Sequence, residues 1–569
     1  MISAAVGGRG RFPPTVWALA LSLVLSSTLL GGCGSNQGTT SEPAATPTAQ
    51  AASFGEIVGA PQRSEHRGDD ELLSAGLGLP GLRALTPPEL ADPAAPSAAE
   101  LRRRAVWANW RGIADLRPGE HGEAYGSLAA VPGIEVRVQG RLRDSGAEHH
   151  LLFQLPDDFN AERPCLVVSA ASGSRGEYGA IALVGGWGLP RGCAVVTTDK
   201  GAGSHWTQGD GAIHVPHAHS GQHPEAHWGE FVLAAAEFGL QQLSAERAQR
   251  YDADTTQILA VGISNGGGAV LQAAGISESL FDAVIAIAPN VLPASGGRAL
   301  YDYATEAALL MPCAMLDPRF ESVPFARPQP LGEARCRLLA ERGEIDGASV
   351  AERSAAALAR LRQGGWTDAA LDTAGFSAAF DLWRAVGVTY ASSYLRADAQ
   401  SMPCGYRFEF QDAEGRPAPA SAPQQALWWS DSSGIPPSAG VKLIESPSAQ
   451  APADDPGFAG LACLRDLWLA EHSPVHGAVN ATRAALPPTA LPIYVLHGEA
   501  DGLVPIAFSS QPYVEWLQSE GRRPVFERLP DAQHFDAYVG LPPWSGKHPA
   551  LMPHAYALID RAVADLAKH

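Results

Sequence analysis

The sequence predicts an α/β fold: a mostly parallel sheet interrupted by a large, mainly helical insertion. Three observations carry that prediction. Short apolar runs recur that fit strands buried on both faces. Stretches with helical spacing separate them, as parallel pairing requires. The alternation then stops for roughly two hundred residues and resumes near the C-terminus.

The runs come in this order. Cys165 to Ala171 closes on the glycine-containing loop Ser172 to Gly176. Cys193 to Thr198 follows a helix-compatible stretch that includes Ile181 to Trp187. Gln257 to Gly262 follows a helix expected from about Glu225 to Leu243, with Trp228, Val232, Ala235 and Phe238 on one face. Ala283 to Ala288 is the fourth run, and Pro492 to Gly498 and Val525 to Leu529 resume the pattern before a last helix from about Ala555 to Ala567. Between them, Ala-rich helical segments such as Ser349 to Arg362 alternate with loops rich in Pro, Ser and Ala. The expected organisation is a sheet domain over residues 56–289 and 489–569, with residues 290–488 inserted as a lid over the strand ends.

Composition narrows the function classes. The chain has 569 residues, 46% of them hydrophobic, which excludes wholesale disorder. Its net charge is -19, which argues against nucleic acid as a partner, because phosphate binding is driven by cationic surface. The N-terminus carries Arg9 and Arg11, then an apolar run from Val16 to Leu30. As a helix that run would reach roughly 22 Å, short of a ~30 Å bilayer core, so residues 1–32 read as a signal peptide. The leader ends Leu30-Gly31-Gly32-Cys33, which resembles a bacterial lipobox and makes Cys33 the expected lipidated first residue. Residues 33–55, poor in large apolar side chains, read as a flexible tether. The protein is therefore expected to be exported and anchored by lipid to the bacterial outer membrane, or secreted where the lipobox is not used.

Six cysteines follow the tether: Cys165, Cys193, Cys313, Cys336, Cys404 and Cys463. An oxidising compartment permits disulfides. The preferred pair is Cys313 with Cys336, while Cys165 and Cys193, each starting a core strand, read as buried thiols.

Gly262-Ile263-Ser264-Asn265-Gly266 has the G-x-S-x-G form of a nucleophile elbow. Its context strengthens it: a buried strand precedes it, and Gly266 to Gly268 allow a helix to start close against the sheet. Ser264 is the expected nucleophile, with the Asn265 amide facing the developing oxyanion. His497 to Pro505 follows a strand and holds Asp501, preferred over Glu499 as the carboxylate that fixes a histidine tautomer. His534 lies beyond the next strand, completing the chain order Ser, Asp, His of an α/β-hydrolase-like fold. The second oxyanion amide is expected from the loop at Ser172 and Gly173, with Ser174 behind them. His205, His214, His217, His219, His223 and His227 crowd one segment but match no compact zinc spacing, so they are expected to wall the substrate cleft. No metal or cofactor is required.

Residues 170–176, Tyr178 to Ile181, Trp187 to Leu189, Arg191 to Ala194 and Thr198 to Gly203 together resemble the D-(-)-3-hydroxybutyrate oligomer hydrolase family. His217 to Ser220, Gln222, Pro224, Glu225, Trp228, Gly229 and Ser264 to Gly268 extend the resemblance over about a hundred residues. It implies hydrolysis of short (R)-3-hydroxybutyrate esters through an acyl-serine at Ser264, in polyhydroxybutyrate degradation. Two rivals remain. A tannase or feruloyl-esterase-like enzyme would place cysteines beside its serine and histidine, where this chain has Ile263 and Phe535. A catalytically inactive surface lipoprotein on the same scaffold would not need the three candidate residues intact.

Overall fold

The computed structural model describes residues 53–118, 125, 128–201, 221–324, 329–398, 401–412, 414–430, 441–446 and 452–568. The leader, Cys33 and the tether through residue 52 lie outside the described residues, as do His205, His214, His217 and His219. At the expected end of the tether, Ser53 and Phe54 already bond to the Glu237 carboxylate at 2.8 and 3.0 Å.

The chain enters the sheet at β1 (Gly55–His66), followed by β2 (Gly133–Leu142) and β3 (Glu148–Pro156). The apolar runs then form β4 (Cys165–Ala170), β5 (Ala194–Thr198), β6 (Gln257–Ile263) and β7 (Ala283–Ile287). β8 (Tyr406–Phe410) and β9 (Val441–Glu445) make a separate antiparallel pair within the insertion, and β10 (Ile493–Gly498) and β11 (Val525–Leu529) complete the main sheet. Its order is β1-β2-β3-β5-β4-β6-β7-β10-β11. From β5 to β11 every pairing is parallel, whereas β1, β2, β3 and β5 pair antiparallel.

The parallel strands form where apolar residues run on because both faces are covered. Every residue of β4, β5 and β7 is buried. On one face α1 (Ala98–Arg111) and the C-terminal helix pack over Val167, Val195, Leu259 and Ile285; on the other, α2 (Trp228–Arg247) and α3 (Asn265–Ile276) pack over Leu166, Val168, Ala260 and Val284. Each fully buried Val, Leu or Ile is worth about 1.5–3 kcal/mol.

The insertion runs from β7 to β10 and has its own core. It includes α4 (Leu300–Ala314), α5 (Gln329–Glu341), α6 (Val350–Gln363), α7 (Asp368–Ala379), α8 (Leu382–Tyr394) and α9 (Phe458–Leu469), ahead of the C-terminal α10 (Met552–Leu566). α6 starts as its sequence requires. Ser349 caps the Glu352 amide while the Glu352 carboxylate returns to the Ser349 amide, and Ala357, Leu358 and Leu361 form the buried stripe.

The cysteine reading needs one correction. Cys165 and Cys193 are joined in a disulfide rather than being buried thiols, with Cα atoms 4.8 Å apart. The reason is register: β4 and β5 are parallel neighbours with Leu166 opposite Ala194, so the preceding residues face each other. Cys313 pairs with Cys336 as expected, and Cys404 pairs with Cys463.

Candidate active site

β4 is flanked by β5 on one side and β6 on the other, so the strand order changes direction there and a crevice opens beyond the carboxyl ends. The Ser172 loop follows β4, Ser264 follows β6, Asp501 follows β10 and His534 follows β11. The parallel sheet thus delivers all four to one edge.

Ser264 sits between β6 and α3 with φ 59° and ψ -126°, a conformation that costs about 1–3 kcal/mol for a residue with a side chain. It is held from both ends. Its amide donates to the Ile287 carbonyl at 2.9 Å, and its carbonyl accepts from the Gly268 and Asn290 amides at 3.0 and 2.9 Å. The flanking glycines are steric necessities. A Cβ at Gly262 would run into the Gly266 carbonyl, and one at Gly266 into the Ala170 carbonyl at the end of β4.

The Ser264 hydroxyl lies 2.8 Å from His534 Nε2, and His534 Nδ1 lies 2.6 Å from Asp501 Oδ2. Asp501 is fully buried, and its Oδ1 accepts from the Leu503 and Val504 amides at 2.9 and 2.7 Å. Burial alone would raise this carboxyl. The His534 and His497 imidazoles outweigh it and hold Asp501 well below the usual carboxylate range. The acid loop and the histidine loop are bonded to each other, with the Ala500 amide on the Ala532 carbonyl at 3.0 Å.

His497 heads the acid-loop segment, but its role was not foreseen. Its Nε2 lies 3.1 Å from Asp501 Oδ2 and 2.8 Å from the Val504 carbonyl, while the Ser510 hydroxyl donates to Nδ1 at 2.6 Å. Asp501 therefore receives two imidazole N–H groups on one oxygen and two amides on the other. Glu499, the rival acid, turns outward and pairs with Arg528 at 2.8 Å.

The Asn265 amide opens α3 and takes no partner among the described residues. Its side chain is fixed, donating to the Tyr390 hydroxyl at 3.1 Å and accepting from Asn290 at 2.9 Å. In the β4 loop the Ser172 amide is directed to the Gly179 carbonyl at 3.4 Å, whereas the Gly173 amide has no partner among the described residues. That singles out Gly173 over Ser172 as the second available amide. Lys200, also unforeseen, is fully buried and donates through Nζ to the Gly173 carbonyl, pinning the loop. Burial pulls its amine down to about 7.

A cavity of about 220 Å³ adjoins these groups. Ser172, Gly173, Ser264 and His534 form its floor, and Phe376 of α7 with Leu382 and Val386 of α8 belong to its roof. The roof is tied down where the Thr373 hydroxyl donates to the Ala500 carbonyl at 2.6 Å. The expectation that the histidine segment walls this cleft is not met by the two histidines described. His223 bonds to Glu225 at 2.9 Å and to the Ala478 carbonyl at 3.0 Å, and His227 to Glu230 at 3.2 Å; neither lines the cavity. Among the described residues no three His, Cys, Asp or Glu side chains converge as a metal-ligand set.

A D-(-)-3-hydroxybutyrate oligomer hydrolase of Paraburkholderia xenovorans is 34% identical, over 83% of this chain and 79% of that protein. One from Burkholderia pseudomallei is 32% identical, over 95% of this chain and 89% of that protein. Among solved structures, the rice cell wall degrading esterase LipA of Xanthomonas oryzae aligns with 78% of this chain and 95% of its own, at 12% identity and a TM-score of 0.39. The family model described as 3HB-oligomer hydrolase matches residues 29–213 and 207–566, and the chain belongs to that family.

Proposed function

We propose that this carboxylic ester hydrolase cleaves short (R)-3-hydroxybutyrate oligomers to monomers through an acyl-enzyme on Ser264, in polyhydroxybutyrate degradation. The observation that carries the reading is the continuous hydrogen-bonded line from Ser264 through His534 to Asp501, with Ser264 and His534 at the floor of the cavity. In this mechanism Ser264 Oγ attacks the ester carbonyl while His534 Nε2 takes its proton. The Asn265 and Gly173 amides stabilise the oxyanion. Collapse expels the hydroxy acid as an alkoxide that receives the proton from His534, and water then hydrolyses the acyl-Ser264 with the same histidine as base. Asp501 keeps the Nδ1–H tautomer and stabilises the imidazolium.

Cavity size supports a small substrate, since about 220 Å³ is below the ~300–1,000 Å³ of pockets for drug-sized ligands. The tannase-like reading is disfavoured because the three disulfides join Cys165 to Cys193, Cys313 to Cys336 and Cys404 to Cys463, none of them bracing Ser264 against His534. Chromatography of products from the purified dimer, the trimer and a feruloyl ester tests the proposal. Monomer release from dimer and trimer is expected, with neighbouring short esters cleaved more slowly, since a small apolar contact discriminates by only about 1–3 kcal/mol. Intact oligomers beside a rapidly cleaved feruloyl ester would reverse the assignment.

The location belongs to the same proposal: an exported protein held by lipid on Cys33. Three disulfides support an oxidising compartment. Cys33→Ser is expected to move the protein from the membrane to the soluble fraction at unchanged specific activity. Fractionation that leaves the variant with the membranes would remove Cys33 from the account.

A further inference from the structure

The proposed substrate has a feature the triad does not address. Each linear oligomer ends in a free carboxylate, set off from the last ester oxygen by one methine and one methylene. We propose that Arg175, assisted by Ser172 and Gln533, forms a subsite for that carboxylate, so that the bond cleaved is the ester nearest the carboxyl end. The inference rests on the oligomer-hydrolase reading and adds to it a direction of cleavage.

All three residues line the cavity shared with Ser264 and His534, and all are buried. All three can donate. Arg175 offers only N–H donors. Ser172 Oγ and Gln533 Nε2 are buried and have no partner among the described residues. A carboxylate, which only accepts and has about four lone-pair sites, complements such a set, and its bonds to a guanidinium are charge-assisted.

Their position also selects the side of the substrate. Gln533 immediately precedes His534. Arg175 donates to Asn109 Oδ1 at 3.4 Å and to the Gly112 carbonyl at 3.5 Å, and the adjoining Ile113 carbonyl accepts the Asp536 and Ala537 amides at 3.0 and 3.1 Å. Gln533 and Arg175 therefore border the segment bearing His534, the group that returns a proton to the departing oxygen, while Ser172 lies at the end of β4. The hydroxy acid that departs is the one carrying the carboxylate. Room for the Arg175 side chain is built in, because a Cβ on Gly112 would overlap the guanidinium and one on Gly179 would press to 2.7 Å from the Arg175 Cβ.

The test compares kcat/KM for the (R)-3-hydroxybutyrate dimer as free acid with that for its carboxyl methyl ester. Wild type should prefer the free acid, and Arg175→Met should reduce that preference by about 100-fold, the order expected for one charge-assisted pair in a buried site. Arg175→Lys keeps the cation and should retain an intermediate preference. Gln533→Leu, which leaves the buried cation in place, should lower the same ratio by about tenfold and reads the subsite even if Arg175→Met does not fold. A preference unchanged in these variants, or equal cleavage of both dimers by wild type, overturns the subsite alone. Wild-type protein that leaves both dimers intact overturns the oligomer-hydrolase reading and the subsite with it.

Discussion

Replacing Ser264 with alanine is expected to lower kcat on 3-hydroxybutyrate oligomers by about 10⁴- to 10⁶-fold while the protein stays folded. The loss should be large because, among the described residues, no other hydroxyl bonds to His534 Nε2, 2.8 Å from Ser264 Oγ. Folding should survive because the elbow is held by backbone bonds to Ile287, Gly268 and Asn290, none of which uses the hydroxyl. Alanine keeps a Cβ, so the cost of the positive φ is unchanged. His534→Ala should cost about as much, and the double variant little more than either alone, since proton acceptor and nucleophile act as one unit. Losses that multiply in the double variant would show that the two residues act independently. Circular dichroism and thermal melts on the same preparations separate lost chemistry from lost structure.

Asp501→Asn is expected to cost about 10⁴-fold in kcat, more than loss of a charge alone would suggest. Oδ1 accepts from two backbone amides and Oδ2 faces two imidazoles, so an amide can satisfy only one side. With its oxygen kept toward Leu503 and Val504, the NH₂ group confronts His534 Nδ1. The imidazole then turns to the tautomer bearing hydrogen on Nε2, which cannot accept the serine proton. Glu499→Gln is the matched control: its exposed pairing with Arg528 predicts activity near wild type. The steady-state rates of the two variants settle which carboxylate serves His534, and the reverse order would reassign the acid.

The parts of the fold that were legible are those whose cause is local. β4, β6, β7 and β10 begin and end within one residue of their apolar runs, because a strand covered on both faces can hold little but apolar side chains. β2 escaped the same reading. Its Ile134, Val136 and Val138 are buried on one face, but Glu135 between them is buried too, in a network with Arg102, His66 and Tyr178. A charged residue that pairs only in the fold looks in sequence like an exposed one. The pairing of β8 with β9 and the bridge between Cys165 and Cys193 likewise depend on register between separate segments.

The site divides along the same line. That Ser264, Asp501 and His534 would meet was legible because a strand end, a glycine pattern and a chain order each constrain them. His497 opens the segment His497 to Pro505, yet its bond to Asp501 arises only when the loop folds back on the end of β10. Lys200 and Arg175 stood in the family-like stretch, but their partners at Gly173 and Gly112 come from other parts of the chain. Sequence could place the β4 loop beside Ser264; choosing Gly173 over Ser172 took the Gly179 carbonyl that engages the Ser172 amide.

The central claim is that Ser264 carries the acyl group during turnover, and rapid acid quench of enzyme mixed with the (R)-3-hydroxybutyrate trimer, followed by mass spectrometry of the intact protein and its peptides, tests it most directly. The account predicts a transient adduct with the mass of one or more hydroxybutyryl units, confined to the peptide containing Ser264 and absent from Ser264→Ala. Turnover with no adduct at any quench time, or an adduct on another residue, would contradict it.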